Sequence, residues 1–334
     1  MINETILEVR NLSAGFEDEY GIHAAVEDVS FRVPRGKCVG IVGESGCGKS
    51  VTAMSILRLL PRPYGHILGG QVLFHGQNLL KMPLQELRSI RGAQISMVFQ
   101  EPMHALNPVH TIGDQIAESL ILHTGMTRNA AWVEAVNLLH EVRIPRADLR
   151  ANEYPSSLSG GMRQRAMIAM ALACKPELII ADEPTTALDV TVQRQILHLL
   201  RRVRGAVGAS CLLITHDLGV IAQNCDYVVV MYAGRVVEQA EVKELFANPL
   251  HAYTKALLSA MPRLEYEPKS FLPTIPGSVP AVRDYVPGCR FCQRCNVPTE
   301  RLTRRPKVVE ALPGHWVEAC PVCAPLPASG SQSS

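Results

Sequence analysis

Five apolar runs of strand length recur along the chain, at residues 39–42, 95–99, 178–181, 211–215 and 228–232. They are nearly continuous rather than alternating, which marks strands buried on both faces, as in the parallel sheet of an α/β protein. Helical patterning separates several of them. Val192, Ile196, Leu199, Leu200 and Val203 share one face at helical spacing, so one stripe is buried and the rest exposed. Arg201, Arg202 and Arg204 crowd the end of that helix before Gly205. The helix dipole and a glycine stop both favour an ending there. Residues 105–175 lack strand runs and read as a helical insertion. After residue 262 the texture changes: Pro268, Pro273, Pro276, Pro280, Pro287, Pro298, Pro306 and Pro313 accumulate and apolar periodicity fades. This predicts a loop-rich appendage too poor in core to fold alone, with residues 327–334 disordered.

Composition narrows the class. At 334 residues and 47% hydrophobic content, the chain can bury a large core in one or two domains. A net charge of +2 argues neither for nor against a nucleic acid. Residues 1–11 lack secretory or transit character, and no apolar run approaches the roughly 20 residues of a spanning helix. A cytosolic chain able to dock on a membrane protein is expected. In that compartment ten cysteines are not expected to form disulfides. Cys38, Cys47, Cys174, Cys211 and Cys225 read as small core residues. Cys289, Cys292, Cys295, Cys320 and Cys323 crowd together near the C-terminus and need another explanation.

The sharpest chemistry lies at residues 43–50, Gly-Glu-Ser-Gly-Cys-Gly-Lys-Ser, between the run 39–42 and a helix-compatible stretch at 51–60. Strand, glycines and helix N-terminus in that order make a phosphate loop. Gly43, Gly46 and Gly48 let backbone N–H groups, with those of Glu44, Ser45, Cys47 and Val51, turn toward a polyphosphate. The helix N-terminus adds its dipole. Lys49 reaches the β- and γ-phosphates, and the Ser50 hydroxyl suits Mg²⁺. A nucleoside triphosphate is the expected ligand.

Polar residues follow other predicted strands, where parallel sheets place their ligand crevices. Asp182 ends the run 178–181 and suits Mg²⁺, directly or through water; Glu183 then orients or deprotonates an attacking water. Gln100 follows 95–99 as a contact to Mg²⁺ or water, and His216 follows Thr215 as a γ-phosphate donor. Ser159, Gly160 and Gly161 open another helical stretch. Ser159 is its N-cap, and the glycines expose N–H groups to an anion.

Taken in order, the phosphate loop, Gln100, Leu-Ser-Gly-Gly with Gln164, Asp182-Glu183, Leu188-Asp189 and His216 resemble the ATPase subunits of ABC transporters over roughly residues 5–260. The wording is most similar to dipeptide and oligopeptide importers: Phe-Gln-Glu-Pro-Met at 99–103, Leu-Asn-Pro at 106–108, Ala-Asp-Glu-Pro-Thr-Thr-Ala-Leu-Asp-Val-Thr at 181–191, then Tyr253-Thr254 and Pro276-Gly277. Nickel and glutathione importers share much of it. The resemblance implies an α/β fold with a central, mainly parallel sheet, an antiparallel β-rich N-terminal portion and the helical insertion. It implies an ATPase domain at 1–262, a Cys-rich extension at 263–326 and a tail at 327–334. It implies ATP and Mg²⁺ as ligands, Glu183 as general base, His216 on the γ-phosphate, Gln100 coupling to membrane subunits, and Asp189 at a dimer interface. Ser159, Gly160, Gly161 and Gln164 serve the nucleotide of a partner domain. Phe16, or alternatively Tyr20, stacks on adenine. The implied partners are a second ATPase subunit (a paralogue), two transmembrane permease subunits and an extracytoplasmic binding protein, with the chain peripheral on the cytoplasmic face of the inner membrane.

The spacings Cys289-x-x-Cys292-x-x-Cys295 and Cys320-x-x-Cys323 suit a metal, as zinc on four thiolates or an iron–sulfur cluster. The peptide-importer resemblance implies a 4Fe–4S cluster. Gly288-Cys289, Arg294-Cys295 and Cys320 match its pattern, but a third position falls near Leu302, so Cys292 or Cys323 would substitute. Iron–sulfur, zinc and unmetallated thiols all stay open. A rival reading is a soluble ABC ATPase acting on nucleic acid, for which Arg290, Arg294, Arg301, Arg304, Arg305 and Lys307 offer some footing. Glu300 and Glu310 nearby and the lack of interleaved aromatics favour a solvated surface, and no nucleic acid is expected.

Overall fold

The structure, a computed structural model, describes residues 4–186, 188–261, 274–298 and 303–325, the side chain of His104 excepted. The expected disordered tail and Leu302 lie outside the described residues. The chain forms two compact units, one of Met1–Leu7, Arg32–Cys38 and Leu73–Ile214, the other of Glu8–Phe31, Val39–Val72 and Thr215–Ser334.

In the first unit the strands Ile95–Val98, Leu178–Asp182 and Ser210–Thr215 pair in parallel, Ile95 opposite Leu178 and Leu178 opposite Ser210. Their side chains are buried almost throughout, as continuous apolar strands covered on both faces must be. The expected insertion is helical: Ile112–Thr124, Arg128–Glu141 and Gly160–Leu172 are its longest helices. Each begins on a hydroxyl cap, Thr111, Thr127 or Ser159. The helix Val190–Val207 buries Ile196, Leu199, Leu200 and Val203. It runs past Gly205 and ends at Gly208, which takes the left-handed φ of 68° that a C-cap needs. The expected stop was therefore three residues early. Gly205 lies within the last turn.

In the second unit residues 21–31, 8–18 and 65–72 run as neighbouring strands in that order. The first two are joined by a short turn at Glu19 and Tyr20, which only an antiparallel pair accepts. A separate group starts from Cys38–Val42, which pairs in parallel with Tyr227–Tyr232. Arg235–Glu241 then adds antiparallel, followed by His315–Glu318 and Val308–Leu312. The tail thus supplies two strands, where the sequence predicted loops. They are short, joined to each other by the Pro313–Gly314 turn, and dock on the sequence-distant Arg235–Glu241 through His315–Glu318. Buried Glu238 fixes their docking: its carboxylate accepts from His315 Nε2 at 2.7 Å and from the backbone N–H groups of Leu250 and His251. The tail also joins the core, where Phe291 packs edge-on to Tyr232 and against Tyr253, with centroids 5.4 and 5.5 Å apart. Among the described residues no helix is long and apolar enough to cross a membrane.

Candidate functional site

Residues 43–50 form the loop between Cys38–Val42 and the helix Lys49–Ile56. Gly48 stands at the helix N-cap with φ 97°, no side chain caps this end, and no acidic residue sits in the first turn. A helix N-terminus built this way suits an anion. Gly46, with φ 78°, is exposed together with Ser45, while Ser50 and Val51 are half-buried. Lys49 is buried, and its ammonium donates to the carbonyls of Gly43 at 2.9 Å and Glu44 at 3.0 Å. Cys47 packs beneath the loop, and burial pushes its thiol up, so it stays neutral. The loop is also braced from outside. Tyr253 Oη accepts from the Glu44 N–H at 2.9 Å, and Arg294 donates to the Glu44 carboxylate at 2.6 Å. Phe16 is half-buried in the strand Thr5–Asp18, and Tyr20 is exposed at the following turn. His216 is exposed just beyond Ser210–Thr215.

In the first unit Asp182 is buried as the last residue of its strand. Glu183 leaves the strand with φ 42°, a left-handed backbone rare outside glycine and sustained only by its surroundings. Its N–H donates to the Ile214 carbonyl at 2.9 Å. Its carboxylate accepts from the Thr186 hydroxyl at 2.9 Å and the Gln100 amide at 3.4 Å. Gln100 and Glu183 are thus brought together. Ser159 accepts from the Met162 N–H at 3.4 Å, and Gly160 is exposed. Gln164, expected beside them as a contact to a partner's nucleotide, is buried, and its amide donates to the Pro184 carbonyl at 2.5 Å. It braces the turn after Glu183. Asp189 accepts from the N–H groups of Thr191 and Val192, both at 3.0 Å, and caps its helix.

Of the five tail cysteines, Cys289, Cys292, Cys320 and Cys323 are buried with their sulfurs within 4.8 Å of one another, whereas Cys295 is exposed and stands apart. The gathered set suits a single metal ion. A cubane hangs each thiolate from a different iron and needs a wider spread, so the expected 4Fe–4S cluster does not fit.

Several arginines offered above as nucleic-acid contacts are spent inside the protein. Arg290 donates to Glu27 and to the Ala233 carbonyl, Arg294 to Glu44, and Arg305 to Glu27 and Asp28. Buried Arg235 also pairs with Glu27. Burial raises the Glu27 carboxyl, but Arg235, Arg290 and Arg305 outweigh it and hold the group below its usual range. Sequence reasoning saw Tyr253 and Arg294 only as family wording or surface charge. Their place on Glu44 has no sequence signal, since they lie more than 200 residues from the loop.

The ABC transporter family pattern matches residues 26–186, and the pattern of the oligopeptide/dipeptide transporter C-terminal region matches residues 237–301. The chain is 51% identical over 316 residues to a probable peptide ABC transporter ATP-binding protein, y4tR, of Sinorhizobium fredii, covering 93% of each. It is 48% identical over 292 residues to the dipeptide transport ATP-binding protein DppD of Bacillus subtilis, covering 87% of each. Among solved structures, the dimeric ATP-binding cassette MJ0796 bound to ADP and Pi matches with a TM-score of 0.63 at 28% identity. That match covers 71% of this chain and 98% of the cassette.

Proposed function

Since the chain belongs to the family of ABC-transporter ATP-binding proteins, we propose that it hydrolyses ATP to drive import of peptides through a membrane complex. The observation that carries the hydrolytic step is the presentation of Glu183, whose left-handed backbone turns its carboxylate out of the strand into a bond with Gln100. Similarity through the C-terminal region supports a peptide as cargo.

In this reading the N–H groups of residues 43–51 and Lys49 bind the phosphates and stabilise charge as the γ-phosphoryl group departs. Phe16 stacks on adenine. Ser50 and Asp182 offer oxygen donors of the kind a hard cation prefers. Mg²⁺ held by such donors would neutralise phosphate charge. Glu183 takes a proton from the attacking water, with Gln100 orienting the carboxylate and relaying the state of the site to the permeases. His216 contacts the γ-phosphate. Ser159, Gly160 and Gly161 complete the site of a second ATPase domain, and Asp189 lies near that interface. The second domain belongs to a paralogue, paired with two permease subunits and an extracytoplasmic binding protein. The chain works at the cytoplasmic face of the inner membrane.

Glu183→Gln tests this. Hydrolysis should fall by about 10²- to 10⁴-fold, the usual contribution of a general base, while nucleotide binding persists. Retained turnover would remove Glu183 from the reaction. Peptide uptake by vesicles holding the full complex tests the cargo.

A further inference from the structure

The four buried tail sulfurs come as two Cys-x-x-Cys pairs from separate elements. Cys289 caps the short helix Arg290–Arg294 and accepts from the Cys292 N–H at 3.5 Å. Cys320 and Cys323 follow the strand His315–Glu318, and the Cys320 carbonyl accepts from Ala324 N–H at 2.9 Å. Cys292 Sγ lies 3.5 Å from Cys320 Sγ and 3.1 Å from Cys323 Sγ. Thiolates about 2.3 Å from one tetrahedral ion would stand about 3.8 Å apart, the scale seen here.

A second observation points the same way. His251 is fully buried, and its Nδ1 accepts from the Tyr253 N–H at 3.1 Å. Nε2 therefore carries the proton, and among the described residues it has no hydrogen-bond partner. A ring nitrogen of His251 lies within 4.8 Å of the Cys289 sulfur and a Glu318 oxygen. A metal-bound thiolate at Cys289 would supply the acceptor this N–H lacks, in the manner of outer-shell partners.

Both cysteine pairs lead to the same point on the nucleotide loop. Arg294, two residues after Cys292, donates to the Glu44 carboxylate and to the carbonyls of Ile275, Pro276 and Gly277. The Cys323 carbonyl accepts from Ala252 N–H at 2.7 Å, and the next residue, Tyr253, receives the Glu44 N–H.

We propose that Cys289, Cys292, Cys320 and Cys323 bind one zinc ion, which clamps the tail so that Arg294 and Tyr253 hold Glu44 of the nucleotide loop. Binding replaces the thiol protons, which pass to solvent, and no electron moves. Zinc replaces the cluster that the family resemblance implies. The coupling to Glu44 rests on the nucleotide reading; the metal assignment does not.

The full chain, purified anaerobically, is assayed for zinc, iron and acid-labile sulfide. Affinity for a fluorescent ATP analogue is then measured before and after zinc is stripped and restored. About one zinc per chain, without iron or sulfide, is expected for a tetrahedral thiolate site. Cys295→Ser keeps the zinc; Cys292→Ser and Cys320→Ser lose it. Should those two fail to fold, Co²⁺ exchanged into the unaltered chain gives the absorption of a tetrahedral thiolate site. Stripping weakens nucleotide affinity by about tenfold, the scale of one charge-assisted hydrogen bond, and Arg294→Ala does the same with zinc retained. Iron with sulfide, a metal-free chain, or loss of zinc in Cys295→Ser overturns the site. Unchanged affinity after stripping overturns the coupling.

Discussion

Two helices of this chain begin on glycines suited to an anion, and they are built in opposite ways. Lys49–Ile56 starts without a side-chain cap, and the loop before it is held by Tyr253 and Arg294. Gly160–Leu172 caps itself with Ser159. Their glycines answer to different demands. A Cβ on Gly43 would lie 2.2 Å from the Met231 carbonyl oxygen, and one on Gly48 would lie 3.0 Å from that of Ala25. Among the described residues, a Cβ on Gly160 would meet only Leu188 Cδ2, at 4.0 Å. Gly43 and Gly48 are required by the chain's own packing. Among the described residues nothing crowds a side chain at Gly160, so the partner's nucleotide proposed for this element would have room there.

Substitutions can break this contrast. The largest stability loss should come from Glu27→Gln, because Arg235 and Arg290 are buried against that carboxylate. Leaving a buried charge uncompensated costs about 3 kcal/mol, measurable by denaturant unfolding at neutral pH. The Glu27 pKa is lowered in the folded chain. Its contribution is therefore full above the ordinary carboxylate pKa and is lost as pH falls through the folded value. The gap between variant and parent should close in acid; a pH-independent gap would mean that packing, not charge, sets it. Gly48→Ala comes next, costing about 1–2 kcal/mol for a side chain at φ 97°. Equilibrium binding should show nucleotide affinity weakened by more than about tenfold.

The self-capped helix should respond more mildly. Ser159→Ala removes a cap worth about 1 kcal/mol, visible as faster hydrogen exchange at Met162, with ATP binding by the isolated chain unchanged. Gly160→Ala should raise stability by about 0.5 kcal/mol and yet suppress hydrolysis in the assembled complex. Full hydrolysis by that variant would erase the contrast.

Much of the loop and strand order is legible because it is local. Val39 to Val42 is apolar on both faces, and the glycines that follow have one main use. Glu183's strained backbone, Gln164's burial and the grip on Glu44 are not legible, because each depends on a partner distant in sequence. The cysteines show the same limit. Spacing marked five candidates, but only packing separates Cys295 from the four that meet. The strands Val308–Leu312 and His315–Glu318 hid for another reason. Their short, proline-flanked sequences carry little signal until Arg235–Glu241 offers His315–Glu318 an edge.

That edge has a consequence for synthesis. When Arg235–Glu241 leaves the ribosome it can pair with Tyr227–Tyr232 at once, but its other side stays bare until His315–Glu318 emerges. At roughly 5–20 residues per second the wait is about 4–15 s. During it the nascent chain carries an open row of backbone donors and acceptors, the kind of surface on which neighbouring polypeptides aggregate. Chains that stall or are truncated before His315 keep that surface for good, so release before the last hairpin should yield insoluble product rather than a smaller working ATPase.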